Sequence, residues 1–374
     1  MELIQIIILF LLLLLFLNLL RNIKMMNEQK KLELKEPLPL VSVLVPMRNE
    51  ERNIENCLRS LLKQDYPCLE IIVLDDNSTD SSYEIAHRLT AEAVNLKVVK
   101  GKKLPPGWNG KNWACHQLSQ LARGEWFLFT DADTVHTPHS ISTAVASSQK
   151  NSSVFVTTIP GLSTKTWSEK LYLPIIHFAF LVLLPFKLIN YSQDSRISCG
   201  IGPFMLIERK IYFTCGGYNE IRREIVDDMA LAKLVKEYKG KITVLDGTDM
   251  VNVRFYRNFR QLWKGFSKNH YEAIGAAPHY LAGIFIIGYF LFIYPYLTLW
   301  AAIEAHAAIT LPLLQVVVIT IIKITMAIRF KTDVFYSLLH PLTIVLCFLI
   351  FINSFRLSLF KKKIEWKERL YPID

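Results

Sequence analysis

The chain has 374 residues, 51% of them hydrophobic, and a formal net charge of +10. Length permits one large domain or two ordinary ones. The apolar residues cluster in runs long enough for a membrane, which excludes a purely soluble globular protein. The basic balance, with no RNA- or DNA-binding motif, fits membrane-surface charge better than a nucleic-acid partner.

Residues 3–20, "LIQIIILFLLLLLFLNLL", carry no charge and are long enough to cross roughly 30 Å of hydrocarbon. A secretory signal fits less well, because the run is long, no basic residues precede it and no small-residue cleavage pattern follows. Arg21, Lys24, Lys30, Lys31 and Lys35 come after it. By the positive-inside bias they place the following polar insert in the cytosol. The expected organisation is an N-terminal anchor (1–24), a polar domain (36–275), a C-terminal membrane region (280–360) and a basic tail (361–374).

The insert alternates strand and helix patterns. "PLVSVLVPMRNEE" (39–51) reads as a strand, followed by a helix with Ile54, Leu58, Leu61 and Leu62 at helical spacing. "LEIIVLDDNSTD" (69–80), "LKVVKG" (96–101) and "WFLFTDADT" (126–134) supply further strands, with helical patterns at 82–93 and 112–124. Such repetition predicts a parallel sheet with helices on both faces and ligands beyond the carboxyl ends of its strands. The six cysteines (Cys57, Cys68, Cys115, Cys199, Cys215 and Cys347) show neither metal spacing nor a disulfide framework and read as reduced.

Three acidic pairs stand out. Asp131 and Asp133, taken as continuing a strand, project to one side. Two such carboxylates repel each other unless a cation lies between them, and oxygen donors suit Mg2+ or Mn2+ completed by phosphates and water. A turn with helix-capping acids is the alternative. Asp75 and Asp76 read either as an Asx turn or as acceptors for a nucleotide base or ribose. Asp227 and Asp228 start a helical pattern, where the helix dipole favours carboxylates, and one of them is equally a candidate general base.

Residues 171–188 contain Pro174, His177 and Pro185 and fit an interfacial helix better than a span. Residues 280–303, 307–328 and 335–354 are span candidates. If all three cross, the tail with Arg356, Lys361, Lys362, Lys363 and Arg369 lies outside, against the bias that put the insert inside. Either one candidate is interfacial or re-entrant, or the bias fails.

"VSVLVPMRNEERNIENCLRSLLKQDYP", "IIVLDDNSTD", "FTDADT", "GIGPFMLIERKIYFTCGGYNEI" and "VDDMALAKLV" together resemble the family-2 inverting glycosyltransferases, in order and spacing along roughly residues 40–250. "GWNGKNWACHQ" (107–117) and "IEWKERLYPI" (364–373) are similar to membrane carotenoid glycosyltransferases of the diaponeurosporenoate type, and hopanoid-associated glycosyltransferases share the Gly-Lys-x-Trp-Ala pattern. The resemblance implies a Rossmann-like GT-A domain and a nucleotide-diphospho-sugar donor, UDP-glucose first. It also implies a lipid or carotenoid-carboxylate acceptor and a multi-pass cell-membrane location. It assigns Pro46, Arg48, Asn49 and Glu50 to the nucleotide end, Asp76 to the base with Asp75 nearby, and Asp131 to the ribose or sugar. Asp133 becomes the metal ligand, Asp228 the catalytic base beside Asp227, and Lys111 a phosphate or acceptor contact or else an exposed helix-start lysine. A polysaccharide synthase of this family carries Gln-x-x-Arg-Trp; here Gln261 is followed by Leu-Trp-Lys-Gly, which disfavours that alternative. Trp263, Lys264 and Lys268 are expected at the membrane surface.

Overall fold

The structure, a computed structural model, describes residues 2–28, 32–273, 277–359, 364–366 and 369–371. Lys30, Lys31 and Lys361 to Lys363 lie outside them. The chain opens with helix α1 (Glu2–Glu28) and enters the domain through β1 (Val41–Met47), α2 (Ile54–Leu61), β2 (Leu69–Asp75), α3 (Ser82–Arg88), β3 (Leu96–Lys100), α4 (Gly110–Leu121), β4 (Trp126–Phe129), β5 (Thr134–His136) and α5 (Ser140–Asn151). The rest of the domain is β6 (Phe155–Leu162), α6 (Trp167–Tyr172), α7 (Pro174–Phe178), α8 (Phe186–Tyr191), β7 (Met205–Glu208), α9 (Arg209–Thr214), α10 (Asp227–Glu237) and β8 (Ile242–Val253). There follow α11 (Phe259–Ala273), α12 (Pro278–Phe292), α13 (Tyr294–Glu304), α14 (Thr310–Arg329), α15 (Val334–Leu338) and α16 (His340–Leu359), and then a separate antiparallel pair, β9 (Ile364–Trp366) and β10 (Arg369–Tyr371).

The main sheet has eight strands in the order β3-β2-β1-β4-β7-β6-β8-β5. Its first four strands are parallel, as the alternating pattern predicts. Val41, Val43, Val45, Ile71, Val73 and Leu128 form one buried cluster, and Leu44, Ile72, Leu74, Phe127 and Phe129 belong to another. Residues covered on both faces read as near-continuous apolar runs. The expectation of a wholly parallel sheet is corrected beyond β4: β7 runs antiparallel to both β4 and β6, and β5 runs antiparallel to β8. The chain leaves β6 for the excursion through α6 to α8. It re-enters at the edge where β6 ended, so the next strand must run back.

That excursion contains residues 171–188, which form no continuous span. Helices α6, α7 and α8 are separated near Pro174 and Pro185, with a π turn at Ala179–Leu183 between α7 and α8. Proline lacks the N–H that would continue the helical ladder. α1 packs on this break: Asn18 and Asn22 donate to the carbonyls of Val182, Leu181 and Leu184 at 2.8–3.3 Å. Among the described residues, four helical stretches are long and apolar enough to cross a membrane: Glu2–Asn27, Pro278–Glu304, Thr310–Arg329 and His340–Leu359. All six cysteines are free thiols.

Candidate active site

A cavity of about 1750 Å³ opens beyond the carboxyl ends of β1 and β4, beside the start of the β2–α3 loop. One end is lined by carboxylates and cations. The other is walled by Phe178, Ile287, Phe292, Ile344, Phe348 and Phe351.

The β1 end supplies Pro46, Arg48, Asn49 and Glu50, all on the cavity wall. Arg48 donates to the carbonyls of Asp76 and Asn77 at 2.7 and 2.6 Å, tying the β1 loop to the β2 loop. Asn49 has a φ of +51°, a left-handed conformation that asparagine tolerates better than most residues, and its side chain accepts from the Thr79 N–H at 2.9 Å. Glu50 accepts from the Asn53 amide at 2.7 Å. The pair Asp75-Asp76 divides. Asp76 is buried and lines the cavity, whereas Asp75 lies off its wall and accepts from the Ser78 N–H at 3.2 Å. Asp75 is therefore the Asx-turn residue.

Asp131 and Asp133 both line the cavity, but not as strand neighbours: β4 stops at Phe129, and the two acids occupy the turn before β5. Thr130 anchors that turn by donating to the Pro203 carbonyl at 2.8 Å. The turn thus faces the loop Gly200-Ile201-Gly202-Pro203. A Cβ placed on Gly202 would lie 3.1 Å from an Asp131 oxygen, 3.4 Å from Lys111 Nζ and 3.6 Å from an Asp228 oxygen. Three charged groups of distant sequence origin thus surround one small volume.

Lys111, in the first turn of α4, is no exposed helix-start lysine. Its ammonium sits 2.9 Å from Asp131 and 3.5 Å from Asp227. Burial alone would depress its pKa, but the carboxylates of Asp131 and Asp227 outweigh this and hold it well above the usual lysine value. Asp227 also accepts from the Tyr218 hydroxyl at 3.1 Å. Asp228 accepts from the Gly202 N–H at 2.9 Å and from the Met229 N–H at 2.8 Å. Burial and the neighbouring Asp227 push Asp228 up to about 6, against the pull of Lys111 and those two N–H groups. Two adjacent acids have diverged: Asp227 is locked in an ion pair, and Asp228 is poised to exchange a proton near neutrality.

Sequence reasoning missed the cations on the far wall. Lys264 and Lys268 on α11 line the cavity with Arg254 and Arg257, beside a neutral His270 whose pKa burial lowers to about 4. Burial lowers Lys268 to about 8. Their four-residue spacing puts them on one helical face, which is the signal for them in the sequence. Trp263 does go elsewhere: it joins the apolar cluster of Tyr172, Leu262 and Ile350. Among the described residues, no three His, Cys, Asp or Glu side chains cluster as a metal site. A hard cation at Asp133 would take its remaining oxygens from a bound molecule and water, a shell normal for Mg2+.

Residues 42–214 match the family model for glycosyl transferase family 2. The 4,4'-diaponeurosporenoate glycosyltransferase of Staphylococcus aureus (strain USA300) is 25% identical over 343 residues, covering 89% of this chain and 88% of that protein. The protein of the same description from the bovine strain RF122 / ET3-1 is 24% identical over 341 residues, with the same shares covered. Among solved structures, the mannosyltransferase PcManGT of Pyrobaculum calidifontis, in complex with GDP-Man and Mn2+, is similar at a TM-score of 0.53 and 17% identity, over 92% of this chain and 99% of that one. The shared fold is the Rossmann-like GT-A type expected from the sequence.

Proposed function

This chain is a glycosyltransferase with a family 2 domain, and from that premise we propose that it moves a sugar from a nucleotide-diphospho-sugar, UDP-glucose first, to the carboxylate of a membrane lipid such as a carotenoid acid, forming a glycosyl ester. The observation that carries this reading is the continuity of one cavity from the acids and Lys111 to the apolar wall of Phe178, Phe292, Ile344 and Phe351. A charged donor and an apolar acceptor have complementary walls within a single space. The relatives that the chain matches over most of its length are named as glycosyltransferases of 4,4'-diaponeurosporenoate.

In this reading Asp76 and the β1 loop hold the nucleoside, with the loop braced by Arg48. Asp133 and the donor's phosphates would hold Mg2+ or Mn2+, which neutralises charge on the departing diphosphate. Lys111 holds Asp131 and Asp227 in place and sets the local field. An acceptor oxygen attacks the anomeric carbon from the face opposite the diphosphate. The new C–O bond forms as the old one breaks, the diphosphate leaves with the electron pair, and the configuration inverts. In this reading the chain passes several times through the cell membrane with its domain in the cytosol, which the basic Arg21 and Lys24 at the domain end of α1 support.

A second reading, transfer to the hydroxyl of a hopanoid or other lipid, has one observation in its favour. Asp228 faces the cavity with a pKa suited to a general base. The test is purified protein in nanodiscs with UDP-glucose and a polyisoprenoid carboxylic acid or the corresponding alcohol, read by mass spectrometry of the lipid product. The glucosyl ester is expected, with Asp133→Ala and chelator each abolishing it. Full-speed transfer by Asp133→Ala in excess chelator would reject the reading.

A further inference from the structure

We propose that α16, although long and apolar enough to span a bilayer, lies along the membrane-facing side of the catalytic domain. The chain then crosses the membrane at α1, at α12–α13 and at α14 only, and its basic C-terminus stays on the catalytic side. The inference rests on the reading of this protein as membrane-embedded and concerns which helices do the crossing.

The geometry separates the four candidates. α14 runs between two ends of the molecule. Near its start Gln315 donates to the Gln5 carbonyl at 2.7 Å, at the end of α1 remote from the domain. At its close Arg329 pairs with Asp246 on β8, and Lys331, two residues on, lies 3.8 Å from Asp249. α1 reaches the domain at its other end, through Asn18 and Asn22. α1 and α13 both pack on α14. α1, α13 and α14 pack together as a bundle that meets the domain through the Asn18–Asn22 end of α1 and the Arg329 end of α14.

α16 behaves differently, because it holds the domain along its length. Thr343 donates to the Leu171 carbonyl at 3.1 Å, near the helix's first turn. Ile350 shares a buried cluster with Tyr172, Leu173 and Leu262. Asn353 donates to Ser267 at 2.9 Å, the Tyr271 N–H donates to Ser354 at 3.0 Å, and Phe355 packs on Tyr271. From Thr343 to Ser354 is about 16 Å at helical rise. Over that length the inner side never parts from α6 and α11. A crossing helix has to leave the domain at one end.

The opposite side is a lipid-facing stripe. Leu342, Val345, Leu349 and Ile352 are each 42–54% exposed and recur at three- and four-residue intervals, the pattern of a single helical face. The stripe continues the apolar surface of α12, where Ile286 and Ile287 are about 60% exposed and Phe285 stacks on Phe348 at 4.5 Å. An apolar surface continuous with membrane-crossing helices has the lipid leaflet as its partner. Charge agrees independently. With three crossings, Arg356, Lys361, Lys362, Lys363 and Arg369 fall on the same side as Arg21 and Lys24, which removes the conflict that four crossings create.

The test uses the full chain in cells. Green fluorescent protein or alkaline phosphatase is fused after Asp374, and an epitope is inserted between Ala307 and Ala308, in the loop joining α13 and α14. The expected result is an epitope open to antibody in intact cells, a fluorescent C-terminal fusion and a silent phosphatase. An open epitope with active phosphatase and a dark fluorescent fusion shows that α16 spans, and overturns the proposal. An epitope shielded in intact cells also overturns it, by removing the crossings at α13 and α14 and with them the membrane reading. Neither reporter reads sugar transfer, so failure of the catalytic reading is scored separately.

Discussion

Replacing Asp228 by Asn separates the two acceptor readings. The substitution keeps the side chain's size and removes its charge. Asp228 accepts from both Gly202 and Met229, and an Asn oxygen can serve only one of them. The unserved N–H costs about 1–3 kcal/mol if it stays buried. Against this, the folded protein ceases to hold an acid whose pKa is raised to about 6 from an ordinary 3.8. A raised carboxyl stabilises the fold below its unfolded pKa and loses that contribution as pH climbs through about 6. At pH 8 the ionised Asp228 therefore costs about 3 kcal/mol, and the variant should melt within a few degrees of the parent or above it. Catalysis then reports on chemistry rather than folding. A hydroxyl acceptor must lose its proton, and the variant should fall by roughly 10²–10⁴ in kcat. A carboxylate acceptor is already ionised at neutral pH, its ordinary pKa being about 4.3. Two like charges about 4 Å apart at a protein surface repel by about 4 kcal/mol before screening by Lys111. With that acceptor the variant should keep its turnover or gain. The parent's pH profile separates the two in the same way. With an alcohol, activity drops about tenfold per pH unit below about 6, as the base takes up its proton. With an acid, the fall begins only near the acceptor's own pKa. A hundredfold loss with the carboxylate acceptor, at unchanged melting temperature and donor affinity, refutes the argument.

Other substitutions test the scaffold of the site. Lys111→Met removes the ammonium that contacts Asp131 and Asp227, and breaking a largely buried pair typically costs about 3–5 kcal/mol. Thermal melts should show that loss, and because Lys111 pulls the Asp228 pKa down, the acid limb of the alcohol-acceptor profile should move to higher pH. Gly200→Ala drives a Cβ into the Asp228 carbonyl oxygen, a backbone contact that cannot give way. Transfer should collapse through displacement of the first turn of α10, with UDP binding by calorimetry largely retained. Asp76→Ala should weaken UDP binding with little change in melting, whereas Asp75→Ala should lower the melting temperature with little change in UDP affinity; the reverse pattern would exchange their roles.

How much of this was legible depended on whether the cause was local. The strands β1, β2 and β4 announce themselves because residues buried on both faces leave unbroken apolar runs, and a parallel sheet fixes where their loops gather. Reversal of β7 was not legible, because it follows from where the α6–α8 excursion re-enters the sheet. Asp131 and Asp133 both reach the cavity, but not by the strand alternation that the sequence suggests. They converge on the cavity because Thr130 ties their turn to Pro203, a contact between positions 73 residues apart. Asp75 and Asp76 part company in a turn where Asn77 takes a φ of +54° and Asp75 accepts from the Ser78 N–H, which adjacent letters do not reveal. Lys264 and Lys268 read as ordinary amphipathic-helix lysines because nothing local says that α11 lies over a cavity.

Hydropathy has the same blindness for α16, and the consequence reaches the chemistry. An apolar window reports only that a helix prefers not to face water, and lipid on one side with protein on the other satisfies that preference as well as a full crossing does. The inner face of α16 contributes Ile344, Cys347, Phe348 and Phe351 to the same cavity that holds Asp131, Lys111 and Asp228. Gly283, Ile284 and Ile287 of α12 complete that wall. Cutting the chain before Pro278 would therefore remove one side of the active site, along with the Arg329 that pairs with Asp246. On the proposed reading the C-terminal region is a component of the acceptor site, and a helix lying in the leaflet would give an apolar substrate a wall of protein on its way to the carboxylates while keeping it out of water.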